Sequence, residues 1–191
     1  MDLFVQNKTA IDPTLAIHEV LMKARNGEVP EGTKDFIDHM PPNTQRKYKV
    51  ALADIASPED DQKYRGGYDK IVETLKMMKN KGIFIVPGTD LGGAFMYHRE
   101  LELYQQLGYT PAELLKLASY DMANYLGDKD LGSIAPGKLA DFFLIPGNPV
   151  EDLKAIKTIS MVSRGGTFYY PSEVYPAFGI KPFTPLPVVK E

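Results

Sequence analysis

The stretch that most constrains this chain is Gly82-Ile83-Phe84-Ile85-Val86-Pro87-Gly88-Thr89-Asp90. Its four consecutive apolar residues, Ile83 to Val86, have neither a helical nor an alternating period. Such a short run between glycines predicts a strand buried on both faces, of the kind found in parallel sheets. Pro87 has no N–H for the ladder and Gly88 permits a turn, so the strand ends there. Asp90 then falls just past its carboxyl end. In barrels and open α/β sheets the loops at that edge converge and carry the chemistry. Asp90 is therefore the first candidate functional residue. The alternative is a carboxylate that only caps a turn or the next helix.

The residues before this strand read as its approach. Phe4 and Val5 resemble the tail of an earlier element, residues 8–12 are β-prone, and Pro13 closes them. Helical spacing over 15–25 ends at Asn26-Gly27. Prolines and glycines make 28–42 a loop, and 43–56 is a weakly patterned helix. Ser57-Pro58-Glu59-Asp60 is a helix start with a side-chain cap, a first-turn proline and acids at the positive dipole end. Gly66-Gly67 is expected to interrupt that helix. Tyr68, Ile71, Val72, Leu75 and Met78 then form one apolar face, and Gly82 ends it. A helix feeding directly into a buried strand is βαβ grammar.

Beyond Asp90, residues 91–94 form a glycine-bearing loop and 96–107 a helix stopped by Gly108. Thr110-Pro111-Ala112-Glu113 is a capping box, and its helix runs to Leu126. The texture then becomes β-rich. Residues 140–145 read as a strand and 150–156 as a short helix at most. Residues 159–164 and 167–170 read as a hairpin about Gly165-Gly166. The proline-bearing residues 171–191 are expected to be an extended tail.

Composition narrows the classes. In 191 residues, 43% are hydrophobic and 25% charged, which fits a packed globular chain. The net charge of −3 gives no electrostatic case for nucleic acid or an anionic membrane. No 18-residue apolar run predicts a membrane span, and residues 1–5 lack the features of a signal peptide. The absence of cysteine removes disulfides and thiolate ligands and leaves the compartment open.

Gly88-Thr89-Asp90, followed by His98-Arg99-Glu100-Leu101-Glu102-Leu103, resembles the eighth-strand segment of the metal-dependent amidohydrolases. Residues 115–127 resemble that family's following helix, with Ser119 where threonine is usual. Residues 132–141, Asn148-Pro149, Val162 and Gly165-Gly166 resemble its C-terminal β-domain signature. Ile11-Asp12-Pro13-Thr14-Leu15 is similar to the seventh-strand segment of the branch containing imidazolonepropionase and Xaa-Pro dipeptidases.

The resemblance implies an α/β fold: the C-terminal βα units of a TIM-like (β/α)8 barrel plus the C-terminal strands of a small β-sandwich. Residues 1–130 would belong to the barrel, 131–170 to the β-domain, and 171–191 to the tail. It implies hydrolysis of a C–N bond in a small amide, dipeptide or cyclic imide, with a divalent metal, zinc by preference, in the complete enzyme. Asp90 would be both metal ligand and proton carrier. The family's other ligands include a His-x-His pair, whereas this chain has only His18, His39 and His98. The expectation is thus a C-terminal fragment whose N-terminal part is missing, inactive alone and prone to homo-oligomerise. A catalytically silent fragment, or a subunit relying on a partner for histidines, is the alternative. A different α/β-barrel enzyme, such as an aldolase, would leave the β-domain signature unexplained.

The histidines have local readings too. His18 suits a hydrogen-bonded packing role and His39 a solvent-facing loop. His98 is a candidate substrate contact or a helix-start packing residue. Lys138 and Asp141 are read as structural.

Overall fold

The computed structural model describes residues 1–188; the last three residues of the expected tail lie outside them. The chain divides into two compact units, residues 1–38 with 42–109, and residues 39–41 with the chain from 110 onward.

The first unit is built on a parallel pairing of Ile11 with Ile85. The Ile11 N–H donates to the Phe84 carbonyl at 3.0 Å, and the Val86 N–H donates to the Ile11 carbonyl at 2.8 Å. The pairing is a single bridge rather than a ladder. Lys8 and Thr14 take positive φ (51° and 48°), which breaks the extended backbone on both sides of Ile11. Ile83 and Ile85 are buried, but Phe84 and Val86 are half-buried. The strand is thus covered on one face and only partly on the other, a correction to the reading of two buried faces.

Helix α1 (Asp2–Gln6) lies just before Ile11, and the crossover between the paired residues carries the helices α2 (Leu15–Lys23), α3 (Pro42–Tyr48) and α4 (Pro58–Asn80). The α3 helix is shorter than expected. By contrast, α4 runs unbroken for 23 residues through Gly66-Gly67. Its start is secured by the Ser57 side chain, which accepts the Asp60 N–H, and by Pro58 and three acids in the first turn. Tyr68 and Leu75 anchor its inner face. Two glycines cost a helix about 1 kcal/mol each, which capping and burial outweigh here. The helix after the strand, α5 (Ala94–Tyr104), tightens to a 3₁₀ turn before Gly108 (φ 88°). The unit's core gathers Leu15, Phe36, Tyr68, Ile85, Leu103 and Tyr104.

In the second unit the expected capping box is present. Thr110 Oγ1 accepts the Glu113 N–H, and the Glu113 carboxylate accepts the Thr110 N–H at 2.7 Å. The helix passes from α6 (Pro111–Lys116) through a π-helical turn (Leu117–Asp121) to α7 (Met122–Tyr125), and ends near Gly127. An antiparallel sheet follows in the order β1 (Phe142–Leu144), β2 (Met161–Arg164), β3 (Thr167–Tyr169). Gly165 and Gly166 both have positive φ (56° and 79°), the backbone a two-residue hairpin turn demands. The sequence reading of this hairpin holds.

Residues 171–178 are not extended. They form α8 (Pro171–Val174) and a 3₁₀ turn (Tyr175–Phe178) ended by Gly179 (φ 69°). Pro171 and Pro176 sit in first turns, where proline's fixed φ favours a helix. His39 is likewise not a solvent-facing loop residue. Its ring stacks on Phe183 at 3.8 Å, and its Nδ1 donates to the Lys181 carbonyl at 2.9 Å.

Candidate active site

Two aspartates follow the paired residues, Asp12 directly after Ile11 and Asp90 on the loop after the buried strand. Both are exposed. Gly88 lies against Asp12 so closely that a Cβ there would run into the Asp12 carboxylate. A glycine is what lets that side chain cross the end of the strand. Asp90 itself has φ 51°, a left-handed conformation that aspartate and asparagine tolerate better than most residues. The turn around it is held by Thr89. The hydroxyl of Thr89 donates to the Leu91 carbonyl at 2.6 Å and accepts the Leu91 N–H at 3.0 Å.

Gly93, with φ 93°, delivers the chain into α5. His98 lies on this helix, half-buried, with its ring edge-on to Phe95 at 6.5 Å. Phe95 stacks on Phe36 at 4.7 Å, and Phe36 meets Tyr48 edge-on at 5.6 Å. An aromatic chain therefore ties the segment before α4 to the first turns of α5.

Behind His98 lies a buried charge network that the sequence reading did not single out. Arg99 forks onto Glu19 at 2.8 and 2.7 Å and reaches Glu102 at 2.9 Å. Burial opposes the charge on Arg99, but the Glu19 and Glu102 carboxylates outweigh it and hold the guanidinium protonated. The Glu100 carboxylate accepts the N–H groups of Leu15 and Ala16 at 2.8 and 2.6 Å. It thereby caps α2, whose own N-cap, Thr14, makes no side-chain cap. Burial pushes the Glu100 carboxyl up to about 7 against the pull of those amides, and the charge of Asp12 adds to the rise. Tyr104 donates to the Val86 carbonyl at 2.7 Å, and burial followed by Glu100 raises its pKa. The one signal in the sequence was three charged residues within Arg99-Glu100-Leu101-Glu102, a helix segment otherwise apolar enough to be buried. Such charges must be paired.

Among the described residues, His18, His39 and His98 do not assemble with Asp90 into a group that could hold a metal ion. His18, on α2, has a buried Nδ1 with no hydrogen-bond partner among the described residues, which corrects the hydrogen-bonded reading. Among the described residues, no group of three or more histidines, cysteines or acids stands close enough to hold a metal ion. The donor set of the described residues by itself does not fit a metal. Asp141 is structural as read: its carboxylate accepts the Gly165 N–H at 2.8 Å and braces the hairpin. No helix among the described residues is long and apolar enough to cross a membrane.

A parallel bridge across a helical crossover, with acids on the loops after both paired residues and a separate three-stranded sheet, defines the α/β class. The amidohydrolase family model matches residues 21–168, and the chain belongs to that family. This removes the reading of an unrelated aldolase-like barrel. Several solved structures are similar to the chain. One is a Xaa-Pro dipeptidase with methionine bound in its active site, at 24% identity and TM-score 0.61, covering 88% of this chain and 36% of that one. Another is a prolidase complexed with N-methylphosphonate-L-proline, at 21% and 0.58, covering 88% and 36%. A third is the bottromycin amidohydrolase, at 18% and 0.62, covering 89% and 40%. At these identities the likeness is one of fold. The chain spans just over a third of the length of these structures. No curated protein matches it.

Proposed function

We propose that this chain is the C-terminal part of a metal-dependent hydrolase that cleaves a C–N bond in a small amide, dipeptide or cyclic imide. The observation that carries the reading is the family match over residues 21–168, together with Asp90 on the loop that follows the buried strand. In this reading residues 1–130 belong to a (β/α)8 barrel, 131–170 to a composite β-sandwich and 171–191 to its tail.

An amide carbonyl is a poor electrophile and neutral water a poor nucleophile. A carboxylate beside the scissile bond serves by taking a proton from water and returning one to the leaving nitrogen. Asp90 is assigned that role, and His98 a contact to the substrate. The divalent metal of the family, zinc by preference, would need ligands beyond those the described residues assemble. They would come from the N-terminal part of the same fold or from a second chain. The failure of the donor set to close also favours a second reading, a catalytically silent fragment or subunit that works only beside a partner supplying histidines.

The test is Asp90→Asn in the complete enzyme. Asparagine tolerates the same left-handed backbone, so the variant removes charge with little strain. Turnover is expected to fall about 10²–10⁴-fold, the usual contribution of positioned acid–base groups. Near-normal turnover overturns the assignment. Elemental analysis of the isolated chain is expected to find no stoichiometric metal. One tightly held metal per chain would contradict the reading.

A further inference from the structure

We infer that Asn26, followed by Gly27, is a site of spontaneous deamidation that the folded chain holds closed, and that its conversion to isoaspartate releases the base of the long excursion between α2 and α4. The inference is independent of what the chain hydrolyses.

The chemistry needs no partner but water. The Gly27 backbone nitrogen gives its proton to water or hydroxide and attacks Cγ of Asn26. An N–C bond forms, the bond to the side-chain amide nitrogen breaks, and that nitrogen takes up a proton and leaves as ammonia. Water then opens the five-membered succinimide at either carbonyl, giving aspartate or isoaspartate. Glycine favours the attack because no Cβ crowds its nitrogen. Asn26-Gly27 is the only Asn-Gly pair in the sequence. Both residues are exposed, and a Cβ at Gly27 would meet nothing within 4 Å, so no packed side chain bars the reaction.

Backbone geometry is what restrains it. The Glu28 N–H donates to the Arg25 carbonyl at 3.2 Å, which makes residues 25–28 a turn. Gly27 has φ 83° and Asn26 has no positive φ, so the turn is of type II. That conformation rotates the Gly27 nitrogen away from the Asn26 side chain. The Gly27 N–H donates to the Lys49 carbonyl at 2.8 Å, so the proton that must leave is engaged. Oδ1 of Asn26 accepts the Ala51 N–H at 2.9 Å, which holds the side chain toward Ala51. These two bonds close the excursion of residues 28–48, which carries Phe36 and α3. Arg25, just before the turn, is fixed to Asp61 at 2.7 Å. Aspartate at position 26 keeps an acceptor for the Ala51 N–H. Isoaspartate routes the backbone through an additional carbon and displaces the Gly27 N–H from Lys49.

The test follows the whole chain in mildly alkaline buffer made with heavy-oxygen water, so that only conversions during the incubation carry the label. Peptide mass spectrometry reads each asparagine. Conversion at Asn26 should run at least about tenfold faster in concentrated urea than in the folded chain, because the reaction requires local opening. Exposed Asn7 and Asn43, followed by Lys8 and Thr44, should keep their amides in both conditions. Equal rates at Asn26 with and without urea overturn the guard, and an Asn26 that stays intact in urea overturns the site. Ala51→Pro removes the N–H that holds Asn26 and should speed conversion in buffer about tenfold, the upper end of what one hydrogen bond contributes. A rate like the parent's, with an unchanged circular dichroism spectrum, overturns the inference. A second measurement needs no variant. Hydrogen exchange of the Gly27 amide should be slowed, relative to an unstructured peptide of the same residues, by the same factor as deamidation, since one opening exposes both. A Gly27 amide that exchanges as fast as in the peptide overturns the guard. In the isoaspartyl form, separated by ion exchange, the Ala51 amide should exchange at least about tenfold faster than in Asn26→Asp. Equal exchange in the two overturns the release.

Discussion

Glu100 shows how much a single residue organises here. From within α5 it takes the first two amides of α2, a helix 84 residues away in sequence. It therefore fixes the segment that follows Ile11 against the helix that follows Asp90. Its carboxyl has an ordinary value of 4.5 and is raised to about 7 in the folded chain, chiefly by burial. Between these values the folded state binds the proton more tightly than the unfolded state. Stability from this group is therefore fully present below about pH 4.5, is lost as pH rises, and levels off above about 7. A shift of that size corresponds to about 3 kcal/mol. The expected outcome is a thermal midpoint that falls from pH 5 to pH 8 more steeply in the parent chain than in Glu100→Gln, which has no proton to lose. Parallel slopes in the two proteins would show that Glu100 does not titrate in this range. Arg99 is a companion case. Its fork engages two buried carboxylates, so Arg99→Met should cost about 3–5 kcal/mol in denaturant unfolding by removing the cation that Glu19 and Glu102 both face.

At the scale of elements, two glycines with opposite surroundings make a matched prediction. Gly66 lies inside α4, and a Cβ there would meet nothing within 4 Å. Gly66→Ala should therefore raise stability by about 0.5–1 kcal/mol. Gly132 has φ 82°, and a Cβ there would come within 2.9 Å of the Ser119 carbonyl and Tyr120 Cα in the π-helical turn. Gly132→Ala should lower stability by more than 1 kcal/mol, because left-handed strain and a backbone clash add. Thermal melts of both variants decide the pair, and like signs would refute it. Gly132 opens the segment whose resemblance to the family's β-domain was visible in the sequence. Its requirement for glycine, however, comes from a helix that no local pattern connects to it. The same division runs through the fold. Caps, the hairpin turn and the helix faces were legible because their physics is local. The continuity of α4, the helical turns after Pro171 and the single-bridge pairing of Ile11 were not, because tertiary burial and distant backbone strain decided them. Asp90 could be singled out from a strand-ending pattern. Glu100 could not, since its role exists only once distant segments meet.

At the scale of the whole molecule, the second unit's sheet sets the behaviour of the isolated chain. β1 and β3 are its two edges, and such edges present N–H and C=O groups ready to pair with other chains. The register places Phe143, Val162 and Tyr169 in one row on one face. Phe143 and Tyr169 are 46% and 49% exposed, so the ends of this apolar row stand in water. In the first unit Ile11 and Ile85 form only one bridge, which leaves further edge groups near the buried strand. Exposed apolar rows beside open edges drive association. Expressed alone, the chain should therefore elute from size exclusion as oligomers or aggregates, with light scattering giving masses well above 21.3 kDa. Phe143→Lys/Tyr169→Lys should shift it toward monomer, since both side chains are exposed and contribute little to the core, whereas charges on an edge oppose pairing. If the cause lay elsewhere, the double variant would aggregate as the parent does. A sharp parent monomer peak with one cooperative melt would show instead that these 191 residues satisfy their own edges.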